Sequence, residues 1–555
     1  MRAVGTVPGL YFTVSPPRSE PSPLRSDVAG FIGRTRRGPA GIPIRVEGWR
    51  GYQRVFGGLA PDAVMTYAIR GYFENEGEVA HVIRMVHPSA TTAFAEWSIG
   101  EIDHEGRWTD NSPIGFDYAG YTVRATSPGG WANNTRISIT YRLRGKTSAS
   151  KTEWLPELDF AISVPDEPPQ YFTAISLVGT NPDDEGLPQT FAQLISDGSR
   201  FLELSPNGPV ITERAIPTGP HTATWELILS GGQDSGDGQT PTERQYLDAA
   251  IKLADVPEVA IVAVPGLYDD LKDQPDSEDQ QREVLKTLIE QAEELRDRLV
   301  LIDVPSEQDE SVKSDVALRQ VEATLNWIEK LRGFADNKST RAAAAYHPRL
   351  TVCDPLGGIR KPTRNVPPSG HVAGVISRLD RQRGAHHTPA NAEIYGAVDI
   401  TQRFDPVAQG RMNSAGVNLL RCSAGNGVVV WGGRTLNLDV EKRFVVYRRL
   451  IHRLVRAIRR VAEPLVFDTN GPELWLTLAR SITSVVLEAW RAGALKGDEP
   501  GEAFRVQCDE KLNPFEEQEN GRVHCEVDVA PATPMEFIEL RVSLSGDGRL
   551  EVFES

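Results

Sequence analysis

Pro368–Leu436 reads PSGHVAGVISRLDRQRGAHHTPANAEIYGAVDITQRFDPVAQGRMNSAGVNLLRCSAGNGVVVWGGRTL and holds the most specific pattern in this 555-residue chain. The stretch is dense in glycine, in arginine, and in asparagine beside residues that turn the backbone. Three segments stand out: Ser369–Gly374 (SGHVAG), the loop Arg381–Asn391 (RQRGAHHTPAN), and the run Asn413–Leu436, which begins NSAGVN and ends VWGGRTL. The remainder of the chain is interpreted as what surrounds this stretch.

Length and charge limit what the chain can be. A chain of 555 residues is expected to form several domains. The net charge of -16 argues against general nucleic-acid binding and favours a basic partner surface. Met1–Val14 lacks the basic region and long apolar run of a signal peptide, and no apolar run approaches the length that crosses a bilayer. We therefore predict a protein made in the cytoplasm, without direct membrane insertion.

The cysteines predict neither a metal site nor a disulfide framework. Cys353, Cys422, Cys508 and Cys525 are scattered, and none forms a Cys-x-x-Cys pair. Four cysteines in so long a chain do not suggest a cross-linked scaffold. We expect reduced thiols buried in the protein.

Apolar runs that alternate with helical patterns predict an α/β core in two parts, residues 28–98 and 236–405. In the first part, Val28–Gly33 and Glu78–Met85 are predicted strands, and Trp49–Phe56 and Ala63–Asn75 are predicted helices. The second part contains unbroken β-branched and apolar runs such as Leu299–Val304. Such runs are typical of a parallel sheet covered on both faces.

Residues 99–235 carry a different pattern and are predicted to be an inserted all-β domain. Alternating segments such as Tyr121–Thr126, Arg136–Leu143 and Ala223–Leu229 are separated by Gly, Pro, Asn and Asp. Ser127–Ile139 (SPGGWANNTRISI) is predicted to be a turn, anchored by a tryptophan, that leads into a strand.

Both chain ends suggest strands that pair with other copies. Residues 1–27 contain a short apolar strand followed by four prolines, and they form either a disordered terminus or an arm that adds a strand to another subunit's sheet. The predicted C-terminal domain, 406–555, is α+β and ends in linker strands (520–555) around the hairpin signal Ser545–Gly548. The candidate strand-exchange residues are Leu10, Tyr11, Phe12, Val14, Phe537, Ile538, Leu540, Val542, Leu550 and Val552.

Phe444–Val461 (FVVYRRLIHRLVRAIRRV) predicts an amphipathic helix with an arginine-rich face. Its apolar residues repeat at helical spacing and are expected to pack on the C-terminal domain. Arg449, Arg453, Arg456 and Arg460 follow a 4-3-4 spacing that puts them on one face, which we expect to point away from that packing. The face is either solvated or salt-bridged within the subunit, or it is a binding surface.

No motif in the chain predicts catalysis, so the sequence indicates that the protein is not an enzyme and has no catalytic residues, metal ligands or cofactors. Thr140 stands where a phosphate loop ending at Gly145-Lys146-Thr147 requires glycine. Ser423 is not in a Gly-x-Ser-x-Gly elbow, and the adjacent His386 and His387 lack the i, i+4 spacing of a helical metal pair. His371 has no identifiable orienting carboxylate and is interpreted as a structural histidine.

The three segments of the opening stretch resemble the tail sheath proteins of contractile phage tails and of related contractile injection systems. Further matches are Pro464–Trp475, Trp490–Leu495, Phe504–Asp509, Asn513-Pro514 and Ala530–Phe537. The family-motif residues are Gly370, His371, Gly374, Pro389, Asn391, Gly416, Asn418, Trp431, Gly432 and Arg434. Gly433, where the family usually has Ala, and the run Phe444–Tyr447 are mild departures.

The resemblance implies a structural machine. In this family, six-membered rings stack around an inner tube, and terminal strands of neighbouring subunits complete a shared sheet. Contraction from a metastable extended state drives the tube through a target envelope, without nucleotide. The α/β core would be subtilisin-like, although the protease motifs are absent. The β-insertion would face outward, and the arginine face would contact the tube.

The implied partners are further copies of the chain, the inner tube protein, and baseplate and terminal cap proteins, with no nucleic acid. The particle would assemble in the cytoplasm, with lysis as a route of release. The sequence leaves open a phage, an extracellular injection system or an intracellular one. The alternative is an α/β hydrolase or ligand-binding protein with an accessory β-domain, which a pocket with convergent polar groups would favour.

Overall fold

The computed structural model of the protein describes residues 25–99, 116, 118, 120–148, 151–177, 190–207, 221–235, 239–305, 314–423, 425, 427–439, 442–532, 538–544 and 550–554. The described residues of Ser26–Arg449 form one compact unit, and those from Leu450 onward form the second together with Arg25. The candidate arm residues Leu10, Tyr11, Phe12 and Val14 lie outside the described residues, as does Phe537. Among the described residues, no helix is both long and apolar enough to cross a membrane.

The first part of the larger unit has the predicted β-α-β order. All four predicted elements are confirmed, and one short strand was missed because only one of its four residues is buried. The elements are β1 (Ala29–Gly33), β2 (Ile44–Glu47), α1 (Gly48–Phe56), α2 (Val64–Glu74) and β3 (Val79–Arg84).

The region predicted to be all-β folds around its own core but contains a helix. Thr190 and Gln193 form a capping box that begins this helix, so the expectation of strands alone is wrong there. The elements are β4 (Phe94–Ser98), β5 (Gly120–Ala125), a 3₁₀ helix (Gly130–Ala132), β6 (Arg136–Ser148), β7 (Lys151–Ser163), β8 (Gln170–Ser176), α3 (Phe191–Gly198), β9 (Leu202–Pro206) and β10 (His221–Ile228). The described strands pair in two sheets, in the orders β10-β6-β7-β8 and β4-β5-β9. The predicted domain start at residue 99 therefore falls between β4 and its partner β5.

The second part of the larger unit alternates strands and helices as predicted. Its elements are α4 (Glu243–Ala254), β11 (Ile261–Ala263), α5 (Leu267–Leu271), α6 (Ser277–Leu295), β12 (Leu299–Asp303), α7 (Ser314–Phe334), a 3₁₀ helix (Ser339–Ala342), β13 (Ala343–His347), β14 (Leu350–Cys353), β15 (Thr363–Val366), α8 (Ser369–Arg383), β16 (Ala397–Ile400), α9 (Pro406–Ser414), β17 (Val417–Ser423) and β18 (Gly427–Trp431).

A largely parallel sheet organises the larger unit. Its described strands follow the order β18-β17-β13-β12-β11-β1-β3-β2, and only the outer pairs β17–β18 and β2–β3 are antiparallel. On β12, Leu299 and Leu301 pack in one apolar cluster, while Val300 and Ile302 pack in the other. The sheet is thus covered on both faces, which explains its unbroken apolar runs. Because β17 and β18 belong to this sheet, the predicted boundary after residue 405 falls inside the chain that forms it.

The second unit combines helices with an antiparallel sheet. Its elements, with the helix that leads into it, are α10 (Val445–Ala462), a 3₁₀ helix (Glu463–Leu465), α11 (Pro472–Arg491), α12 (Pro500–Ala503), β19 (Phe504–Gln507), α13 (Phe515–Glu519), β20 (Val523–Val529), β21 (Ile538–Leu544) and β22 (Leu550–Glu554). The described strands pair in the order β19-β20-β21-β22. Apolar residues of α10, α11 and β20 form its core.

The expected state of the cysteines is wrong. Cys508 and Cys525 form a disulfide between the end of β19 and the neighbouring strand β20. Cys353 and Cys422 are free but exposed rather than buried. Strand pairing brought Cys508 and Cys525 together although 17 positions separate them in the chain, and spacing alone did not reveal this.

Candidate functional site

The SGHVAG segment is a helix contact. Gly370 and Gly374 lie on α8, where a Cβ atom would come within 2.2 Å of the Ala68 carbonyl oxygen and 2.5 Å of the Tyr72 carbonyl oxygen, both on α2. Only glycine therefore lets the two helices approach so closely. The spacing of four residues puts both glycines on one face of α8. These motif residues are explained by packing.

His371 is a packing residue in the same contact, as its interpretation predicted. It is 1% exposed, and a Cβ atom added at Gly71 would lie 2.2 Å from its ring. Burial, with a smaller contribution from Arg70, lowers the pKa of His371 to about 4, so the ring is neutral near pH 7. No described carboxylate hydrogen-bonds its ring, so a catalytic His–carboxylate pair is not formed within the described residues.

A cavity of about 380 Å³ lies beside His371. Its lining includes Tyr67, Arg70, Glu74 and Cys353. Arg70 is already paired with Glu74 at 2.7 Å, and Tyr67 donates a hydrogen bond to Asp354 at 2.8 Å. Arg70, Glu74 and Tyr67 therefore satisfy one another or a neighbouring side chain, and Nδ1 of His371 is a buried lining atom left without a partner among the described residues. This arrangement does not favour the hydrolase or ligand-binding alternative.

The start of α8 is attached to the end of β12. The carboxylate of Asp303 accepts hydrogen bonds from the Ser369 backbone N–H at 2.8 Å and from the Ser369 hydroxyl at 2.6 Å. A carboxylate at a helix N-terminus complements the helix dipole. Burial nevertheless raises the pKa of Asp303 to about 6, because the charged form is taken out of water.

The second half of the opening stretch forms a hydrogen-bonded corner around Asn418. The amide of Asn418 donates to the Ala345 carbonyl at 3.1 Å and to the Arg434 carbonyl at 2.7 Å, while its oxygen accepts from the Arg434 N–H at 2.7 Å. A Cβ atom at Gly432 would lie 2.7 Å from the Asn418 oxygen. The network joins the chain after β18 to β13 and β17, and so explains why Asn418, Gly432 and Arg434 occur together.

The other motif residues also lie at turns and strand ends of this corner. Asn391 has a left-handed backbone (φ 64°), and its N–H donates to the Val430 carbonyl at 2.7 Å. Pro389 accepts from the Ala392 N–H at 3.2 Å, and Gly416 lies in the turn before β17. Trp431 carries the guanidinium of Arg421 over its ring. All the motif residues therefore have architectural roles in one subunit.

The expectation that the arginines of α10 form one outward face is wrong for two of the four. Arg449 is 4% exposed and Arg456 is 1% exposed, whereas Arg453 and Arg460 are partly exposed. Arg449 forms a two-pronged ion pair with Asp380 and also donates to the Ser26 carbonyl at 3.2 Å. Arg456 donates to the Arg25 carbonyl at 2.8 Å. Helical spacing predicted a shared face but not that buried acceptors already meet it.

A buried ion-pair cluster beside Arg449 was missed by sequence reasoning. Glu293 on α6 pairs with Arg341 at 2.7 Å and with Arg448 at 2.8 Å, and all three side chains are at most 9% exposed. Burial would raise the pKa of Glu293, but the two guanidinium groups outweigh it and hold that pKa below its ordinary value. The adjacent Arg448 and Arg449 in the amphipathic helix α10 were the sequence signal from which such a cluster could have been predicted.

The C-terminal sheet has two outer strands, β19 and β22, among the described strands. β21, which contains Ile538, Leu540 and Val542, pairs with β20 on one side and with β22 on the other. Its backbone is therefore used within the chain. β22, which contains Leu550 and Val552, has a single partner among the described strands, as does β19. Strand addition from another copy would have to use an outer strand, of which β22 is the terminal one, rather than β21.

Residues 239–436 match the family described as phage tail sheath protein central domain. No curated relative matches the chain at a significant level. The chain is similar in structure to a sheath tail protein from Listeria innocua (11% identity, TM-score 0.58, covering 96% of this chain and 97% of that one). It is also similar to a sheath tail protein from Desulfitobacterium hafniense (13%, 0.55, 97% and 100%) and to the contracted helical sheath of the anti-feeding prophage (18%, 0.51, 96% and 98%). At these identities the likeness shows a shared fold.

Proposed function

We propose that the protein is a sheath subunit of a contractile phage tail or contractile injection system, because residues 239–436 match the family described as phage tail sheath protein central domain. The single observation that carries the proposal is this match, which includes the stretch with the family motifs up to Leu436. The sheath fold extends it over nearly the whole chain. The proteins of this family, and the neighbours in structure, are structural sheath proteins rather than enzymes.

In this proposal, subunits form hexameric rings that stack around an inner tube. The extended lattice is metastable, and contraction is a transition between two packings of the same subunits that drives the tube through a target envelope. The energy is stored at assembly, so no nucleotide or cofactor is required. The core sheet, whose parallel strands are covered on both faces, is the part for which we propose a subtilisin-like fold.

The lattice would stay connected through terminal strands. The outer edge of β22 has no partner among the described strands, and residues 1–27 would supply the strand that pairs with such an edge in a neighbouring subunit. Strand addition satisfies backbone donors and acceptors on both partners, so a joint of this kind resists a change of ring radius. The β-insertion, which we predict at 99–235, shares its core with Ala93 and Trp97 of the preceding segment, and this separate core supports an outward domain whose clean removal starts before β4.

Two of the four candidate arginines remain for the proposed contact with the inner tube. Arg453 and Arg460 remain candidates because they are partly exposed, whereas Arg449 and Arg456 are used inside the subunit. Exposed ion pairs are individually weak, about 0–1 kcal/mol, but they repeat in every ring. Baseplate and terminal cap proteins would complete the particle, which would assemble in the cytoplasm and be released by lysis.

Electron microscopy of the purified full-length protein tests the proposal. We expect tubes with helical striation. A matched deletion of residues 1–20 should leave a folded monomer, with an unchanged circular dichroism spectrum, that does not form tubes. If the full-length protein forms no tubes with or without its tube protein, the sheath function is wrong. If the deletion forms normal tubes, only the role of the arm is wrong.

A further inference from the structure

The larger unit contains an open cleft rich in arginine. Its volume is about 760 Å³, which is within the range of roughly 300–1,000 Å³ that ligand sites occupy. We call it the arginine cleft. Its charged lining residues are Arg36, Arg50, Arg54, Arg70, Arg200, Glu74, Asp166 and Glu167. Its apolar lining residues include Trp49, Leu59, Pro355 and Leu356, and Leu356 is 51% exposed.

The carboxylates of the arginine cleft do not neutralise it. Asp166 pairs with Arg36 at 3.0 Å, Glu74 pairs with Arg70 at 2.7 Å, and Glu167 pairs at 2.6 Å with Arg37, which lies behind the lining. Each lining carboxylate therefore already has its own guanidinium group. The other arginines of the cleft remain without a carboxylate.

Three exposed guanidinium groups are left over. Arg50, Arg54 and Arg200 have no carboxylate partner among the described residues. Burial lowers the pKa of Arg37, Glu167 opposes this, and the nearby positive charges of Arg200 and Arg36 lower that pKa further. The apolar lining residues Trp49, Leu59, Pro355 and Leu356 are called the apolar floor. A cleft that combines guanidinium groups lacking a carboxylate partner with such apolar residues fits a segment that carries both carboxylates and an aromatic ring.

The second unit presents a segment of that chemistry. Phe467 is 95% exposed and Phe515 is 72% exposed, although both are large apolar side chains. The exposed carboxylates of Asp468, Glu516 and Glu519 stand beside them in sequence and have no ion pair within the described residues. We call this set the acidic aromatic tip: Phe467, Asp468, Phe515, Glu516 and Glu519.

The turn at Phe467 and Asp468 and the segment around helix α13, which together carry the acidic aromatic tip, are fixed to each other. Asn470 donates to the Arg522 carbonyl at 3.0 Å and accepts from the indole of Trp475 at 3.0 Å. Asn513 donates to the His524 carbonyl at 2.9 Å, and its oxygen accepts from the His524 N–H at 2.6 Å. Segments held in this way lose little conformational freedom when they bind a partner. Exposed phenylalanines on ordered segments thus indicate a docking element.

We propose that the acidic aromatic tip of one copy of this protein docks into the arginine cleft of a second copy. The apolar floor would receive Phe515, while Glu516 and Glu519 would meet Arg50 and Arg54. A second copy is the occupant we favour because the same chain supplies both complementary surfaces. Since the two surfaces differ, the contact is heterologous and can propagate into a ring or a helix. The inference rests on the proposed self-assembly and names a contact within it.

Cysteine cross-linking tests where the copies touch. In full-length chains with Cys353→Ser and Cys422→Ser, one protein carries Gln53→Cys, at an exposed lining position of the cleft, and another carries Asn520→Cys, at an exposed position beside the tip. Mixing them under a mild oxidant should give a disulfide-linked dimer. We expect at least about tenfold more product than in a control mixture with Glu499→Cys, an exposed position outside the tip, because docking raises the effective concentration of the two thiols.

Charge reversal tests the pairing in the assembly. Arg50→Glu with Arg54→Glu, or Glu516→Lys with Glu519→Lys, should each weaken self-association about tenfold or more, because like charges replace opposite charges. The chain with all four substitutions should recover association. Arg383→Glu, an exposed charge reversal away from the cleft, is the matched control. Unchanged melting curves would show that the variants fold.

The outcomes separate the two proposals. Cross-linking no greater than in the control, reversals without effect, or reversals that the combined chain does not rescue would each overturn the docking contact. Striated tubes formed by such variants would leave the sheath function standing. Specific cross-linking in a protein that forms no tubes would support the contact while the sheath function fails. Cross-linking to a different acidic protein rather than to the second copy would also overturn the inference.

Discussion

Replacing Arg449 with methionine should destabilise the larger unit strongly. The guanidinium lies against Asp380 with Nη1 2.6 Å from Oδ1, and Nη2 pairs with Oδ2. The two side chains are 4% and 3% exposed. Methionine removes the positive charge but keeps much of the volume, so the main consequence is an uncompensated carboxylate in the interior.

The magnitude follows from this geometry. Two unit charges about 4 Å apart attract each other by about 4 kcal/mol at an effective dielectric constant of about 20. Removing one partner of a buried pair typically costs about 3–5 kcal/mol. The lost hydrogen bond to the Ser26 carbonyl adds about 1 kcal/mol. We therefore expect the free energy of unfolding to fall by about 4–6 kcal/mol. Arg449→Met with Asp380→Leu should recover most of it, because apolar pairs often replace buried ion pairs without loss.

Urea unfolding of the single variants and the double variant gives the coupling energy. Arg403→Met is a matched control in the same unit, because Arg403 pairs with Asp399 at 3.0 Å but the two side chains are 71% and 45% exposed. That exposed pair should contribute less than about 1 kcal/mol. If Arg449→Met costs no more than Arg403→Met, the assignment of Arg449 to the interior of the subunit is refuted.

Three further changes test other parts of the structure. The wild-type protein should lose stability as the pH falls from about 6.5 to 4, because the pKa of the buried His371 ring lies near 4 and the unfolded chain therefore binds that proton first. In His371→Phe this loss should be smaller by roughly 3 kcal/mol. An unchanged dependence of urea unfolding on pH would contradict this. Asp303→Asn should act in the opposite direction: the pKa of Asp303 is raised to about 6, so the wild type loses stability as pH rises from about 4 to 6 and the variant should lose less, whereas an equal loss in both would refute the burial argument. Cys525→Ser should destabilise the second unit by about 3 kcal/mol under oxidising conditions and have little effect in dithiothreitol, because the disulfide closes a loop over a separation of 17 positions; equal melting temperatures without reductant would mean that the bond is not formed in solution.

Local pattern was enough for most of the core. The apolar runs Val28–Gly33 and Leu299–Val304 are strands because β-branched and large apolar side chains favour an extended backbone that is buried on both faces. The helical repeat of Phe444–Val461 likewise gave α10 nearly to its ends. Strand β2 was not predicted because it is short and mostly exposed. Helix α3 was not predicted because it begins at a capping box inside a β-rich region.

The sequence identified which residues of Pro368–Leu436 are important, but it did not predict which other residues they contact. The sequence singled out Gly370, Gly374 and Asn418, yet only the fold explains them, by the approach of α2 and by the backbone around β13 and β17. The prediction of an outward arginine face on α10 was wrong for Arg449 and Arg456 for the same reason. Spacing determines which residues share a face of a helix, whereas the partners of that face come from distant parts of the chain.

Periodicity and ordered local motifs were enough to predict the α/β core, the β-rich insertion, the helix α10 and the likeness to tail sheath proteins. The pairing of Arg449 with Asp380, the disulfide between Cys508 and Cys525, and the clustering of arginines in one cleft became visible only in the folded chain. Each of these depends on which residues long-range folding brings within a few ångströms, since charge pairing, disulfide formation and local field all fall off over that distance.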